Sequence, residues 1–212
     1  VSHSQGSIDP VADVQIVEAE LMLADLDSLV TRRESLVRKE RGGDKDARSL
    51  IDAIAVAESA LEQGNPVRSL SLTAPMEQLV VSLELLSSKP VMYICNVDEA
   101  AIADGNDYSR SFQLYAESQG ASCVTTSARL EAEIGLIEEL DERDKFLMAL
   151  GLGESGLSRV IKAGYALLEL ITFFTAGPKE ARAWTIRSGS RAVEAAGRIH
   201  SDFARGFIRA ET

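Results

Sequence analysis

Apolar residues recur at helical spacing along the first third of the chain. Between Asp9 and the break at Gly42-Gly43, the apolar positions that step by three and four are Ile16, Ala19, Leu23, Leu26, Val30 and Val37. A second set follows the break: Ala47, Leu50, Ile54, Ala57 and Leu61. Each set predicts one seam of an amphipathic helix. Asp9 and Asp44 are suitable N-caps. The pattern therefore predicts an antiparallel helical hairpin over residues 9–64.

The pattern changes to alternating helices and strands after the hairpin. The sequence predicts helices over residues 73–86, 107–119 and 130–150, and strands over residues 91–95 and 121–126. Both strand segments are short apolar runs, which are typical of buried parallel strands. Strand–helix alternation indicates the α/β class, in which ligands bind at the carboxyl ends of the strands.

Composition narrows the class of protein. The chain has 212 residues, of which 45% are hydrophobic, and its net charge is −11. That acidity argues against general nucleic-acid affinity, DNA binding included, because phosphate backbones are bound mainly through Lys and Arg. The sequence contains no apolar run near the about 20 residues of a membrane helix, so we expect no membrane association. Two cysteines, Cys95 and Cys123, fall within the strand segments. We expect both in the core of a cytoplasmic protein in a reducing compartment.

Candidate chemistry lies directly after the two strands. The first strand is followed by Asn96-Val97-Asp98-Glu99, and the second by Ser127-Ala128-Arg129. This pair resembles the base-recognition loops of P-loop GTPase-type domains, in which the first loop reads Asn-Lys-x-Asp and the second contains Ser-Ala. In such loops the carboxylate accepts hydrogen bonds from guanine, and the second loop offers a backbone N–H to the guanine carbonyl.

The first loop departs from that pattern at two positions. Val97 stands in place of the Lys, and Glu99 in place of the Asp. A carboxylate one methylene further out no longer holds guanine at the same distance, and adenine presents a ring nitrogen acceptor there. We therefore expect weak selection of guanine, with adenine bound through its amino group and backbone carbonyls. The alternative is that Glu99 only caps the following turn.

Three longer segments resemble one family. Residues 6–13, 173–186 and 195–211, together with Asn-x-x-Glu at 96–99, are similar to the Obg-like ATPase (YchF-type) family. The resemblance implies part of a P-loop NTPase sheet, an inserted antiparallel helical hairpin and part of a ubiquitin-like (β-grasp) TGS domain. It divides the chain into residues 1–8 (end of the first NTPase part), 9–88 (helical insertion), 89–168 (second NTPase part) and 169–212 (partial TGS domain).

The resemblance also implies an activity. It predicts a monomeric, ribosome-associated ATPase that uses Mg²⁺ with ATP, contacts the large subunit and RNA, and regulates translation or the stress response. The sequence holds no G-x-x-x-x-G-K-[ST] motif, so the phosphate loop is expected upstream of Val1, and the chain alone is expected to be inactive. The residues expected to contact the base are Asn96, Val97, Glu99, Ser127 and Ala128. The sequence indicates no catalytic residue and no metal ligand.

The end of the hairpin is locally basic. Arg38, Lys39, Arg41 and Lys45 cluster around the Gly42-Gly43 turn of an otherwise acidic chain. One interpretation is a projecting arm that contacts an anionic partner, and the other is a structural hairpin with a solvated charged face. Two alternative functions stay open: a non-enzymatic adaptor that binds the ribosome or RNA through the hairpin and TGS domain, and a GTP-selective translation GTPase.

Overall fold

The computed structural model describes residues 8–210, and the chain divides into two compact units between Pro90 and Val91. The remaining residues, 1–7 and 211–212, include the outer ends of two segments that carry the family resemblance and all but one residue of the predicted first NTPase part. Both helices and strands are present, so the α/β class is confirmed.

The first unit is helical. It contains α1 (Pro10–Arg41), α2 (Lys45–Glu62), a short 3-10 helix (Val67–Ser69) and α3 (Ala74–Val81). Asp9 caps α1 by accepting a hydrogen bond from the Ala12 backbone N–H, and Asp44 caps α2 by accepting from Asp46 and Ala47. The helical hairpin and the predicted seam of α2 are confirmed, since α1 packs along α2 and most of that seam is buried.

The predicted seam of α1 is wrong at most of its positions, although Leu26 packs against the buried core. Ile16, Leu23 and Val30 are 45%, 64% and 54% exposed. The face turned inward follows a different heptad, in which polar residues alternate with apolar ones: Glu18, Met22, Asp25, Leu29, Arg32 and Leu36. A search for apolar residues at helical spacing cannot identify this buried face, because half of its positions are charged.

The charged residues of that seam bind the segment between α2 and Pro90. The Asp25 carboxylate accepts hydrogen bonds from the backbone N–H groups of Leu86 and Ser87, each at 2.8 Å, and from Ser87 Oγ at 2.6 Å. Arg32 donates to the carbonyls of Ser82 and Leu83. The prediction that α3 reaches residue 86 is therefore wrong: it ends at Val81, because these backbone groups bond to α1 instead.

The second unit contains a parallel pair of strands that helices cover in part. Strand β1 (Met92–Asn96) pairs with β2 (Ser122–Thr126) in register from Met92↔Ser122 to Asn96↔Thr126. Helix α4 (Asp107–Ser118) connects the strands, and its caps and buried face confirm the prediction for residues 107–119. The expectation of fully buried strands is wrong, since Ile94 is exposed and the two cysteines are only half-buried. Within residues 8–210 the sheet has two strands, which leaves part of it uncovered.

The region after β2 forms three helices where one was predicted. They are α5 (Ala128–Gly135), α6 (Leu140–Ala149) and α7 (Gly156–Leu167). The single helix over residues 130–150 is wrong because Gly135 ends α5 and residues 136–139 are not helical. Helix α7, which packs on both strands, was not predicted at all.

An antiparallel hairpin and two short helices complete the second unit. Strand β3 (Leu170–Ala176) pairs with β4 (Ala181–Arg187), and α8 (Ala192–Ile199) and α9 (Ser201–Arg205) follow. The assignment of this region to a TGS fold stays a prediction. Across residues 8–210, every helix is too short or too polar to cross a bilayer.

Candidate functional site

The two sequence-predicted loops lie side by side at the carboxyl end of the sheet. Because the register pairs Asn96 with Thr126, both chains leave the sheet at the same level. The Asn96 side-chain Oδ1 accepts a hydrogen bond from the Ala128 backbone N–H at 2.9 Å. Val97 donates its backbone N–H to the Thr126 carbonyl at 2.8 Å. The loops are thus joined by one side-chain bond and one backbone bond.

A cleft of about 610 Å³ opens over the joined loops. Its lining comprises Asn96, Val97, Asp98, Glu99, Ala100, Ser127, Arg129 and Leu150. Four of the five predicted base-contacting residues are in this set. The fifth, Ala128, lies beside the cleft, where its N–H holds Asn96 in place. The structure therefore brings the predicted residues together, while their contact with a nucleotide stays a prediction.

The floor of the cleft is a small apolar core. Val97 packs against a buried cluster that includes Ile102, Leu130 and Leu147. Ser127 is only 2% exposed, at the N-cap position of α5. Because the Ser127 side chain is buried, Ser127 could contact a ligand only through its backbone. Val97 anchors the first loop where the GTPase pattern would have a long, charged Lys.

Glu99 is exposed and begins a short 3-10 helix, Glu99–Ala101. Asp98, not Glu99, occupies the cap position of that turn, and neither side chain makes a capping hydrogen bond there. Among the contacts of residues 8–210, no hydrogen bond or ion pair involves the Glu99 carboxylate. The alternative interpretation, in which Glu99 caps the turn, is therefore wrong.

Four lining residues were not among the predicted contacts: Asp98, Ala100, Arg129 and Leu150. Arg129 places a cation in a cleft that also holds Asp98 and Glu99, and its Nε lies 3.3 Å from a carboxylate oxygen of Glu133. Its position directly after Ser127-Ala128 was the available signal. Leu150 adds an apolar wall from the end of α6. Nothing in the local sequence marks Leu150, because only the packing of α6 brings it to the loops.

A carboxylate behind the site fixes α7 to α5. Glu131 accepts hydrogen bonds from the backbone N–H groups of Gly156 and Leu157, at 2.7 and 3.0 Å. A side chain at Gly156 would collide with the Thr126 hydroxyl and with Glu131. The first residue of α7 must therefore be glycine for the helix to pack closely against the end of β2.

The basic end of the hairpin belongs to the first unit. Arg38, Lys39 and Arg41 are exposed in the last turn of α1, where positive charge also stabilises the helix dipole. Arg38 and Arg41 line a shallow groove of about 410 Å³ together with Val30 and Val37. The Lys45 side chain lies outside the described part of the structure. Across that part, no group of three or more His, Cys, Asp or Glu residues is placed to hold a metal ion.

Comparisons with known proteins agree on one family. A family model for the C-terminal part of YchF GTPases, described as "Protein of unknown function (DUF933)", matches residues 170–212. The chain is 42% identical to the protein named "Ribosome-binding ATPase YchF" of Bacillus subtilis and 42% identical to the protein of the same name in Escherichia coli O157:H7. Each alignment covers 100% of this chain and 58% of the relative.

A solved structure is similar over nearly the whole chain. The Schizosaccharomyces pombe YchF GTPase superposes with a TM-score of 0.84 at 30% sequence identity, covering 98% of this chain and 57% of that one. The chain therefore spans somewhat more than half the length of the relatives and of the solved structure that it resembles.

Proposed function

The chain belongs to the YchF family, and we propose that it supplies the base-recognition loops of a cytoplasmic nucleoside triphosphate hydrolase that acts, as a monomer, on the ribosome. The observation that carries the proposal is the bond from the Ala128 N–H to Asn96, which joins the two loops over a single cleft. The names of the relatives, ribosome-binding ATPase and GTPase, agree with it.

We propose that ATP is preferred over GTP. In the cleft Glu99 is exposed and has no partner among the described residues, so its carboxylate is free to interact with a base. The Glu99 side chain is one methylene longer than the Asp that binds guanine in GTPase loops, so its carboxylate lies at a different distance from the base. Adenine would instead present its amino group to loop carbonyls, with its ring between Val97 and Leu150.

The phosphates and Mg²⁺ would be held elsewhere. We assign the Mg²⁺ ligands and the phosphate contacts to the segment that the longer relatives contain in addition, and no step of the reaction is assigned to the ion here. Asn96 and the Ala128 N–H hold the loops together, Ser127 offers its backbone, and Val97 and Leu150 enclose the base. Bond cleavage itself is assigned to no residue of this chain.

Base preference tests the proposal. We define the extended protein as this chain preceded by the segment that its longer relatives contain in addition. Fluorescent ATP and GTP analogues would be titrated against the extended protein and against the 212-residue chain. We expect the extended protein to bind ATP more tightly than GTP, and the 212-residue chain to bind both at least about a hundredfold more weakly, because it lacks phosphate contacts.

The matched variants are Glu99→Asp and Glu99→Gln in the extended protein. Glu99→Asp restores the carboxylate reach of the GTPase pattern, so we expect GTP affinity to rise at least about tenfold, the value of one or two charge-assisted hydrogen bonds. Glu99→Gln removes the charge at the same length and should not gain GTP affinity. Equal affinity for both nucleotides in all three proteins would contradict the role of Glu99. Nucleotide hydrolysis by the 212-residue chain would contradict the proposal that residues outside this chain cleave the phosphate bond.

We propose that the end of the hairpin contacts ribosomal RNA of the large subunit. Arg38, Lys39 and Arg41 are exposed and of one sign in an acidic chain, and Lys45 continues the run in sequence. In a ribosome co-sedimentation assay, Arg38→Glu/Arg41→Glu should lower affinity and flatten its salt dependence, because phosphate contacts release counterions. Lys89→Glu/Lys162→Glu makes the same charge change elsewhere and is expected to have a much smaller effect. Equal loss in both variants would indicate net charge alone and refute the hairpin contact.

A further inference from the structure

Two thiols meet between the strands that lead to the candidate loops. Cys95 Sγ and Cys123 Sγ lie 3.4 Å apart, and both residues are half-buried. Cys123 is in register with Tyr93, and Cys95 with Thr125. Because side chains two residues apart on a strand share a face, the cysteines are diagonal neighbours on one face of the sheet.

The separation of the sulfurs is close to bonding distance. A disulfide requires about 2.05 Å, so the two sulfur atoms would have to approach by roughly 1.3 Å. A diagonal pair can close that gap only if the backbone of β1 moves slightly relative to that of β2. Disulfides that strain their surroundings are the readily reduced ones, which are used for regulation and not for permanent stabilisation.

A small oxidant can reach the pair of thiols from the side of Cys123, whose sulfur lies 3.4 Å from that of Cys95. Cys123 lines a cleft of about 300 Å³ together with Arg110 and Arg159. Burial, and then the hydrogen bond and charge of Cys95, raise the pKa of the Cys123 thiol to about 12. Cys123 therefore keeps its proton at neutral pH, so it suits the second, intramolecular step, in which its proton leaves with the sulfenic hydroxyl.

We propose that Cys95 and Cys123 form a redox-modification site that hydrogen peroxide converts reversibly to a disulfide. Cys95 Sγ attacks peroxide: the O–O bond breaks, one oxygen stays on sulfur as a sulfenic acid, and the other leaves as water. Cys123 Sγ then displaces the sulfenic hydroxyl, which takes the Cys123 proton and leaves as a second water. The two thiols lose two electrons and peroxide gains two. A dithiol reductant reverses the change by exchange.

The disulfide would act on the loops through one residue. Cys95 is followed directly by Asn96, whose side chain joins the loops through Ala128. Movement of β1 against β2 lengthens that hydrogen bond, so the oxidised protein would hold its nucleotide more weakly. This second half of the inference rests on the proposed function. The size expected is roughly fivefold in affinity, the value of one hydrogen bond.

The first experiment tests the disulfide without any nucleotide. The 212-residue chain would be treated with hydrogen peroxide, quenched, and analysed by intact mass, thiol titration and peptide mapping. We expect a mass loss of about 2 Da, the two hydrogens of a disulfide, a linked peptide containing Cys95 and Cys123, and recovery with dithiothreitol. Cys123→Ala should instead trap oxygen on Cys95. Free thiols after treatment, sulfinic acids in the unsubstituted chain, or disulfides only between molecules would overturn the proposal.

The second experiment tests the consequence. The Ala128 amide signal would be followed by nitrogen–proton NMR in the 212-residue chain, and ATP affinity in the extended protein, each before and after oxidation. We expect the Ala128 signal to shift and the affinity to fall, with neither change in Cys123→Ala. A disulfide that leaves both unchanged overturns the regulatory half. Failure of the reduced extended protein to bind ATP would refute the proposed function instead, and the mass result would stand independently.

Discussion

Replacing Asp25 by alanine should strongly destabilise the first unit. Asp25 is 3% exposed, and its two carboxylate oxygens accept three hydrogen bonds from Leu86 and Ser87. Ser87 is itself only 1% exposed, so its N–H and hydroxyl would be left without these acceptors in a buried place. Each hydrogen bond to a charged group contributes about 1.5–3 kcal/mol.

Partial rescue by water keeps the total below the sum of the three bonds. We expect Asp25→Ala to lower the free energy of unfolding by about 3–5 kcal/mol. The measurement is urea unfolding followed by circular dichroism at 222 nm. With a slope of about 1–3 kcal/mol per molar urea, the midpoint should fall by roughly 2 M.

Asp27→Ala is the matched control for Asp25→Ala. Asp27 is the same residue type, two positions further along α1, and exposed. We expect this substitution to change the free energy of unfolding by less than about 0.5 kcal/mol. A loss below about 1 kcal/mol for Asp25→Ala, or equal losses for both variants, would refute the argument that buried hydrogen bonds hold residues 82–88 against α1.

Three further predictions follow from burial. Leu29→Ala should lower the free energy of unfolding by about 2–5 kcal/mol in the same assay, whereas Leu23→Ala should lower it little, because Leu29 is 1% and Leu23 is 64% exposed. A larger loss for Leu23→Ala than for Leu29→Ala would show that the apolar seam predicted from the sequence is the buried face after all. The raised pKa of Cys123, about 12, means that the folded chain keeps this proton where the unfolded chain loses it. We therefore expect iodoacetamide to alkylate Cys123 slowly at pH 8 and faster as the pH rises, and fast alkylation at pH 8, measured by mass spectrometry, would contradict this. We also expect Cys123 to contribute a stability that is complete below the ordinary thiol pKa and disappears as the pH rises through about 12. Gly156→Ala should lower the free energy of unfolding by about 1–3 kcal/mol, because the added methyl group crowds Thr126. An unchanged thermal midpoint would show that the neighbouring side chains move aside without cost.

Much of the architecture could be predicted because its signals are local. The caps at Asp9 and Asp44, the seam of α2 and the two strands each depend on a few neighbouring residues. The candidate loops could be found in the same way, since in a parallel pair both chains leave the sheet at one edge. Sequence alone thus determined which residues would meet at the carboxyl end of β1 and β2, because the alternation of elements leaves little choice.

Only the tertiary structure decided which face of α1 is buried and what completes the cleft. Half of the buried positions of α1 carry charges, and these become favourable only when residues 82–88 supply their partners. Leu150 reaches the cleft because α6 folds back over the loops, and the two thiols meet because the register sets Cys123 diagonally to Cys95. Contacts between residues distant in the chain depend on packing, and packing is not encoded in any short stretch of the sequence.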